Sequence, residues 1–284
     1  MRWKGQRESE NVDDRRGVTP GRAVAGGGIG VLVIAVIAML MGQNPLDILS
    51  QTGGLPGQGA VTQEGPRSPQ EEERAKFAAT VLANTEDVWN KILPNYGKQY
   101  RNPTLVLFTG QVESACGFAS AAVGPFYCGE DEKLYIDLSF FDMLQQRFGA
   151  PGEFAQAYVI AHEVGHHMQK VLGTLDKVHQ MQQSASKEEA NALSVRLELQ
   201  ADFYAGVWAH HADQMADILD PADIEDGLRA ASAIGDDTLQ KEAQGYVVPE
   251  SFTHGTSAQR MRWFKKGLDS GDLRQGDTFS ARQL

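Results

Sequence analysis

His162-Glu163-Val164-Gly165-His166 decides how this chain is read. Residues four apart on a helix lie nearly above one another. His162 and His166 can therefore offer two imidazole nitrogens to one metal ion. Glu163 is rotated about 100° from His162, so its carboxylate borders such a site and can act on a water there. Two histidines and a carboxylate base are the core of a zinc hydrolase. Tyr158-Val159-Ile160-Ala161 precede the motif, Met168 follows it, and Glu163 is the only Asp, Glu, Lys or Arg from Gln156 through Gln169. A solvated surface helix carries more charge than this. A His-Glu-His set on an apolar helix is costly to bury unless something binds it.

A catalytic zinc site takes three protein ligands and keeps a further position open. The third is expected from Ser194-Val195-Arg196-Leu197-Glu198-Leu199-Gln200-Ala201-Asp202. Ser186 and Glu189 form a capping box ahead of it, and Ala190, Leu193, Leu197, Ala201, Ala205 and Trp208 recur at helical spacing. Glu198 and Asp202 share a face. Glu198 is the expected ligand, and Asp202 the expected acceptor for the second N–H of a ligand histidine. A solvated acidic face is the competing account, and the upstream motif weighs against it.

His162-Glu163-Val164-Gly165-His166 followed by Glu198-Leu199-Gln200-Ala201-Asp202 resembles a gluzincin metallopeptidase. Upstream, Ala115-Cys116-Gly117, Gly124-Pro125-Phe126-Tyr127-Cys128 and Tyr135-Ile136-Asp137-Leu138-Ser139-Phe140-Phe141 narrow the likeness to the bacterial "putative neutral zinc metallopeptidase" family, over roughly residues 70 to 270. The resemblance implies a membrane-anchored zinc peptidase with an extracytoplasmic catalytic domain, and an edge strand beside the zinc cleft. Tyr135-Ile136-Asp137 is the strand assigned to that edge, with an ordinary buried hairpin as the alternative.

The chain has 284 residues and a formal net charge of −11. That length suits one catalytic domain plus an appendage, and the acidic balance gives no support for nucleic-acid binding. Residues 1–22 carry Arg2, Lys4, Arg7, Arg15, Arg16 and Arg22, whereas Ala23 to Leu46 has no charged residue. About 20 apolar residues span a bilayer. Residues 23–42 are therefore expected to be an uncleaved transmembrane signal anchor, with a cleaved signal peptide as the rival. The basic flank places 1–22 in the cytoplasm and the rest outside, as a single-pass inner-membrane protein. Residues 43–69 form a Gly- and Pro-containing linker, and residues 70–284 form the peptidase domain. Cys116 and Cys128 are the only cysteines, and in an oxidising compartment they are expected to pair. Two buried free thiols remain an alternative, and zinc ligation is disfavoured by the lack of C-x-x-C spacing.

Ser68-Pro69-Gln70-Glu71 reads as a helix start, and helices are expected over 70–92, from 140, and over 153–172, 187–212, 221–234 and 257–267. A strand is expected at 104–108 and a hairpin from 125–128 through Gly129-Glu130-Asp131-Glu132 to 133–138. The fold class is α+β: a gluzincin-like domain, mostly helical with a small sheet, preceded by one transmembrane helix.

The expected activity is zinc-dependent endopeptidase cleavage of a peptide or protein substrate, with Glu163 as general base. His254, in Thr253-His254-Gly255-Thr256-Ser257-Ala258-Gln259-Arg260, resembles the late histidine of membrane-linked gluzincins that faces substrate. It is the candidate donor to the developing oxyanion, against a loop histidine capping the next helix. Pro often follows that histidine, and here Gly255 does. Tyr204 is the next candidate donor. His167, His179, His210 and His211 read as surface residues or satisfied partners. The alternative from another class is a zinc-stabilised partner-binding domain without turnover, against which the base Glu163 argues.

Overall fold

The computed structural model describes residues 1–17, 67–146, 149–150 and 152–284. Its small sheet is built from β1 (Val12–Asp14), β2 (Thr104–Phe108), β5 (Phe126–Cys128) and β6 (Lys133–Asp137) in the order β1-β2-β6-β5. The strands β2 and β6 run parallel, with Leu105 opposite Leu134 and Leu107 opposite Ile136. These three leucines and one isoleucine face the helices in the main core, while Val106, Phe108, Tyr135 and Cys128 point the other way into a second cluster. That second face is covered by a separate hairpin, β3 (Gln111–Ser114) with β4 (Gly117–Ser120), through Val112 and Ala119. Burial on both faces is why the run Leu105 to Phe108 is apolar without alternation. The disulfide Cys116–Cys128, with Cα atoms 5.8 Å apart, ties the hairpin turn to β5.

The helical body comprises α1 (Pro69–Ile92), α2 (Phe140–Gln146), α3 (Glu153–Leu172), α4 (Thr174–Gln182), α5 (Lys187–Ala216), α6 (Pro221–Ala233), α7 (Asp236–Gln244) and α8 (Ser257–Ser270). Local chemistry sets the ends. Ser68 and Glu71 exchange side-chain and backbone hydrogen bonds at the start of α1, and Ser186 and Glu189 do the same for α5, satisfying amides that have no helical partner. Gly173 ends α3 with φ 81°. The long α5 packs between α3 and α8, and α6 closes over α3 and α8. Phe154 stacks on Trp208 at 6.0 Å, and Tyr158 meets Phe264 edge-on at 5.2 Å. These aromatic contacts set the spacing of the three helices that carry the site.

Two expectations are corrected. The span expected over 23–42, and most of the linker expected over 43–69, lie outside the described residues. Among the described residues no helix is long and apolar enough to cross a membrane. A direct contact then overturns the single-pass inner-membrane topology. Residues expected on the cytoplasmic side pack on the domain expected outside. Trp3 is 7% exposed, stacks edge-on against Phe77 and donates its indole N–H to Glu153 at 3.0 Å. The buried carboxylate of Glu86 accepts from Arg7, Ser9 and Asn11 at 3.1, 2.6 and 2.7 Å. The β1 strand pairs with β2 from Val12↔Leu105 to Asp14↔Leu107. Two segments that share one sheet lie on one side of any membrane, so a single crossing between them is ruled out. The second correction concerns the edge strand. Tyr135-Ile136-Asp137 belongs to β6, which lies between β2 and β5, although β5 pairs with it only over Lys133 to Tyr135; the edges of the sheet are β1 and β5. Both β5 and β6 pack against α3, and of the two β5 is the edge strand.

Candidate metal centre

Helix α3 presents His162 and His166 one turn apart, and α5 crosses it at that level. The crossing is close because of Gly165. A Cβ there would lie 2.7 Å from the Ala201 carbonyl oxygen and 2.9 Å from its Cα. No side chain fits that gap, so the glycine inside the motif is what lets Glu198 reach the histidines. His162 Nε2 and His166 Nε2 lie 3.1 and 3.5 Å from Glu198 Oε2 and Oε1. One ligand atom from each of the three residues falls within 4.8 Å of the others. Two imidazole nitrogens and a carboxylate oxygen, converging from two helices, fit the donor set of a catalytic zinc.

Behind the donors lies a network of hydrogen bonds. His162 Nδ1 donates to Asp202 Oδ1 at 2.8 Å, which in the neutral imidazole leaves the lone pair on Nε2, the nitrogen facing the site. Asp202 is fully buried and accepts from Arg260 Nε at 2.8 Å, from Arg260 Nη2 at 2.9 Å and from the Tyr158 hydroxyl. On the other ligand, His166 Nδ1 donates to Gln169 Oε1 at 2.9 Å.

Electrostatics match this geometry. Burial alone would raise the Asp202 carboxyl, but Arg260 and His162 outweigh it and bring it to about 2. Burial likewise opposes the His162 cation, yet Asp202 and Glu198 push its pKa up to about 9. Glu198 would be raised by burial and is instead held well below the usual carboxylate range by His166 and His162. The point where the three donors meet therefore favours positive charge. Glu163 differs. It is 7% exposed, and among the described residues its carboxylate has no hydrogen-bond partner. Burial raises its pKa against the pull of the two histidines. A carboxylate with free oxygens and a raised pKa is suited to take up a proton.

His254 stands in the loop before α8, with its side chain about half exposed. Asp236, at the first turn of α7, anchors that loop. Its Oδ2 accepts the backbone N–H groups of Thr253, His254 and Gly255 at 2.7, 2.6 and 3.0 Å, and its Oδ1 faces His254 Nδ1 at 3.1 Å. Burial opposes the His254 cation, but Asp236 and Glu198 raise its pKa overall. Gly255 has φ 88° and rests against Val195 and Leu199 of α5. Proline cannot adopt that angle, which explains the departure at this position from the resembling family motif.

Three of the remaining histidines are bridges, while His179 is exposed on α4. His167 is fully buried, donates from Nε2 to the Arg101 carbonyl at 2.6 Å and accepts the Tyr127 hydroxyl at Nδ1, 3.0 Å away, so it fastens β5 to α3. His210 and His211 donate to the carbonyls of Leu268 and Gly271 at the end of α8. Tyr204 is turned away from the metal site, into a cleft also lined by Val178, Gln200 and Phe279. It is therefore not positioned as a donor there. Sequence reasoning missed Tyr158, Gln169, Asp236 and Arg260. The available signal for the first two was a polar atom on the buried face of a helix that is otherwise apolar.

The chain is 49% identical over 287 residues to "Uncharacterized protein YpfJ" of Escherichia coli (strain K12), covering 98% of this chain and 99% of that protein. It is 41% identical over 262 residues to "Uncharacterized protein Rv2575" of Mycobacterium tuberculosis (strain ATCC 25618 / H37Rv), covering 87% and 86%. No solved structure matches it. The family model described as "Putative neutral zinc metallopeptidase" matches residues 1–279, so this chain, with its His162, His166 and Glu198 cluster, belongs to that zinc metallopeptidase family.

Proposed function

We propose that the protein is a zinc-dependent endopeptidase in which His162, His166 and Glu198 hold the metal and Glu163 is the general base. The observation that carries this reading is Glu163, a buried residue whose carboxylate has no hydrogen-bond partner among the described residues, beside a converging His/His/Glu set. A zinc ion bound there acidifies a water and polarises the scissile carbonyl. Glu163 takes one proton from the attacking water at a carboxylate oxygen, holds it, and delivers it to the leaving nitrogen as the C–N bond breaks. Asp202 keeps the His162 proton on Nδ1 throughout. The free edge of β5, beside α3, offers backbone N–H and C=O groups to an extended substrate.

His254 acts on the oxyanion that develops on the substrate carbonyl. With Nδ1–H directed to Asp236, donation from Nε2 needs the imidazolium, which the raised pKa favours. His254→Ala is expected to lower kcat and kcat/KM together, by about 10²–10³, while metal content and melting temperature stay unchanged. The alkaline limb of the rate profile should disappear with it. A variant within a few-fold of wild type assigns the donor elsewhere.

Elemental analysis and a fluorogenic peptide library test the whole reading. Wild type is expected to carry one zinc and to cleave library members. His162→Ala, His166→Ala and Glu198→Ala should each lose most of the metal. Zinc lost from Asp202→Ala but kept by Glu198→Ala would reverse the ligand assignment. Cleavage that persists after metal is stripped would overturn the mechanism.

A further inference from the structure

Gln169 is fully buried on α3, one turn beyond His166, and its amide is spoken for at both ends. Nε2 donates to the Leu197 carbonyl at 2.7 Å and to Gln200 Oε1 at 3.3 Å. Gln200 in turn donates from Nε2 to the Gly276 carbonyl at 2.9 Å. A backbone carbonyl can only accept, so the amide nitrogen must face Leu197 and the amide oxygen must face His166 Nδ1. That oxygen can only accept, so Nδ1 of His166 must carry the proton. The lone pair is then left on Nε2, the nitrogen directed at Glu198. Leu197 immediately precedes Glu198, so the same amide joins the two helices at the level of their ligands. Gly276 belongs to the C-terminal tail, which Arg196 and Thr278 fasten to α5.

We propose that Gln169 is a positioning residue of the metal centre: it fixes the tautomer of His166, and Gln200 with the Gly276 carbonyl of the C-terminal tail fixes Gln169. This rests on the reading that His162, His166 and Glu198 hold zinc. The two ligand histidines are thus oriented differently, His162 by a carboxylate and His166 by a neutral amide that has no charge of its own to bury.

Zinc affinity of the full-length protein, measured by competition with a chromogenic chelator, separates the acceptor role of Gln169 from its donor role. Gln169→Met fills the space without an acceptor. It should bind zinc about 10- to 100-fold more weakly, the usual cost of losing an outer partner of a ligand. Gln169→Glu keeps an oxygen for His166 but loses both donated bonds. It should stay within about threefold of wild type in zinc affinity and melt at a lower temperature without metal. Equal loss of affinity in both variants, or wild-type affinity in Gln169→Met, overturns the proposal. Nitrogen-15 shifts of the zinc-loaded wild type test it without any variant. Metal on Nε2 with a protonated Nδ1 at His166 is expected, and metal on Nδ1 refutes it. Wild type that takes up no zinc sinks the metal-centre reading as well. Wild type that binds zinc, with Gln169→Met binding it equally, sinks the positioning role alone.

Discussion

Glu163→Gln is expected to keep its zinc and its fold and to lose turnover by a factor of about 10²–10⁴. The amide is isosteric with the carboxylate, so α3 and its packing are undisturbed. Among the described residues Glu163 accepts no hydrogen bond, so no internal partner is lost. What disappears is a group able to receive a proton. Because the proton is both taken from the water and returned to the leaving nitrogen, the loss falls on kcat and on kcat/KM alike. Steady-state kinetics on a cleaved library peptide, with zinc content measured on the same sample, would show it. A variant that cleaves as fast as wild type removes Glu163 from the mechanism. A variant that loses zinc makes it a ligand instead.

Arg260→Ala is expected to destabilise the metal-free protein by about 3–5 kcal/mol, the usual result of stranding one partner of a buried ion pair. Asp202 is fully buried and Arg260 is 2% exposed. Removing the guanidinium leaves the carboxylate with Tyr158 and His162 alone. For a domain of this size that corresponds to a fall in Tm of roughly 6–20 °C. Pairing Arg260→Met with Asp202→Asn should cost less than Arg260→Met alone, because no uncompensated charge is left behind. Thermal melts of the three proteins would decide, and a change within about 1 kcal/mol for Arg260→Ala would place the pair among those that contribute little. The acid side gives a further check. The Asp202 pKa falls from 3.8 to about 2 on folding. Its contribution is therefore present above pH ~4 and is lost as the pH falls toward 2.

The membrane topology went wrong for a physical reason. An uncharged run beside a basic flank reports the hydropathy of one segment. It carries no information about what the residues before that segment touch. Arg7, Ser9 and Asn11 look like ordinary solvated positions until Glu86, far along the chain, is seen to collect all three. The assignment of the edge strand failed in the same way. Alternation in Lys133–Asp137 identifies a strand, but its neighbours on either side are set by β2 and β5, and strand order is not written in periodicity.

Helical spacing alone determined that His162 and His166 share a face, that Glu163 borders them, and that Glu198 and Asp202 share another. It also located most helix starts, because capping boxes such as Ser68 with Glu71 and Ser186 with Glu189 act within one turn. Those are short-range facts, and short-range geometry is carried by the covalent chain. Only the tertiary structure decided that Gly165 admits Ala201 so that the two faces meet, that Arg260 from a third helix neutralises Asp202, and that Asp236 holds the His254 loop. It also decided that the C-terminal tail reaches His166 through Gln200 and Gln169. Each of these joins residues from separate elements. Their closeness is paid for by packing of the whole domain, which no local pattern of residues records.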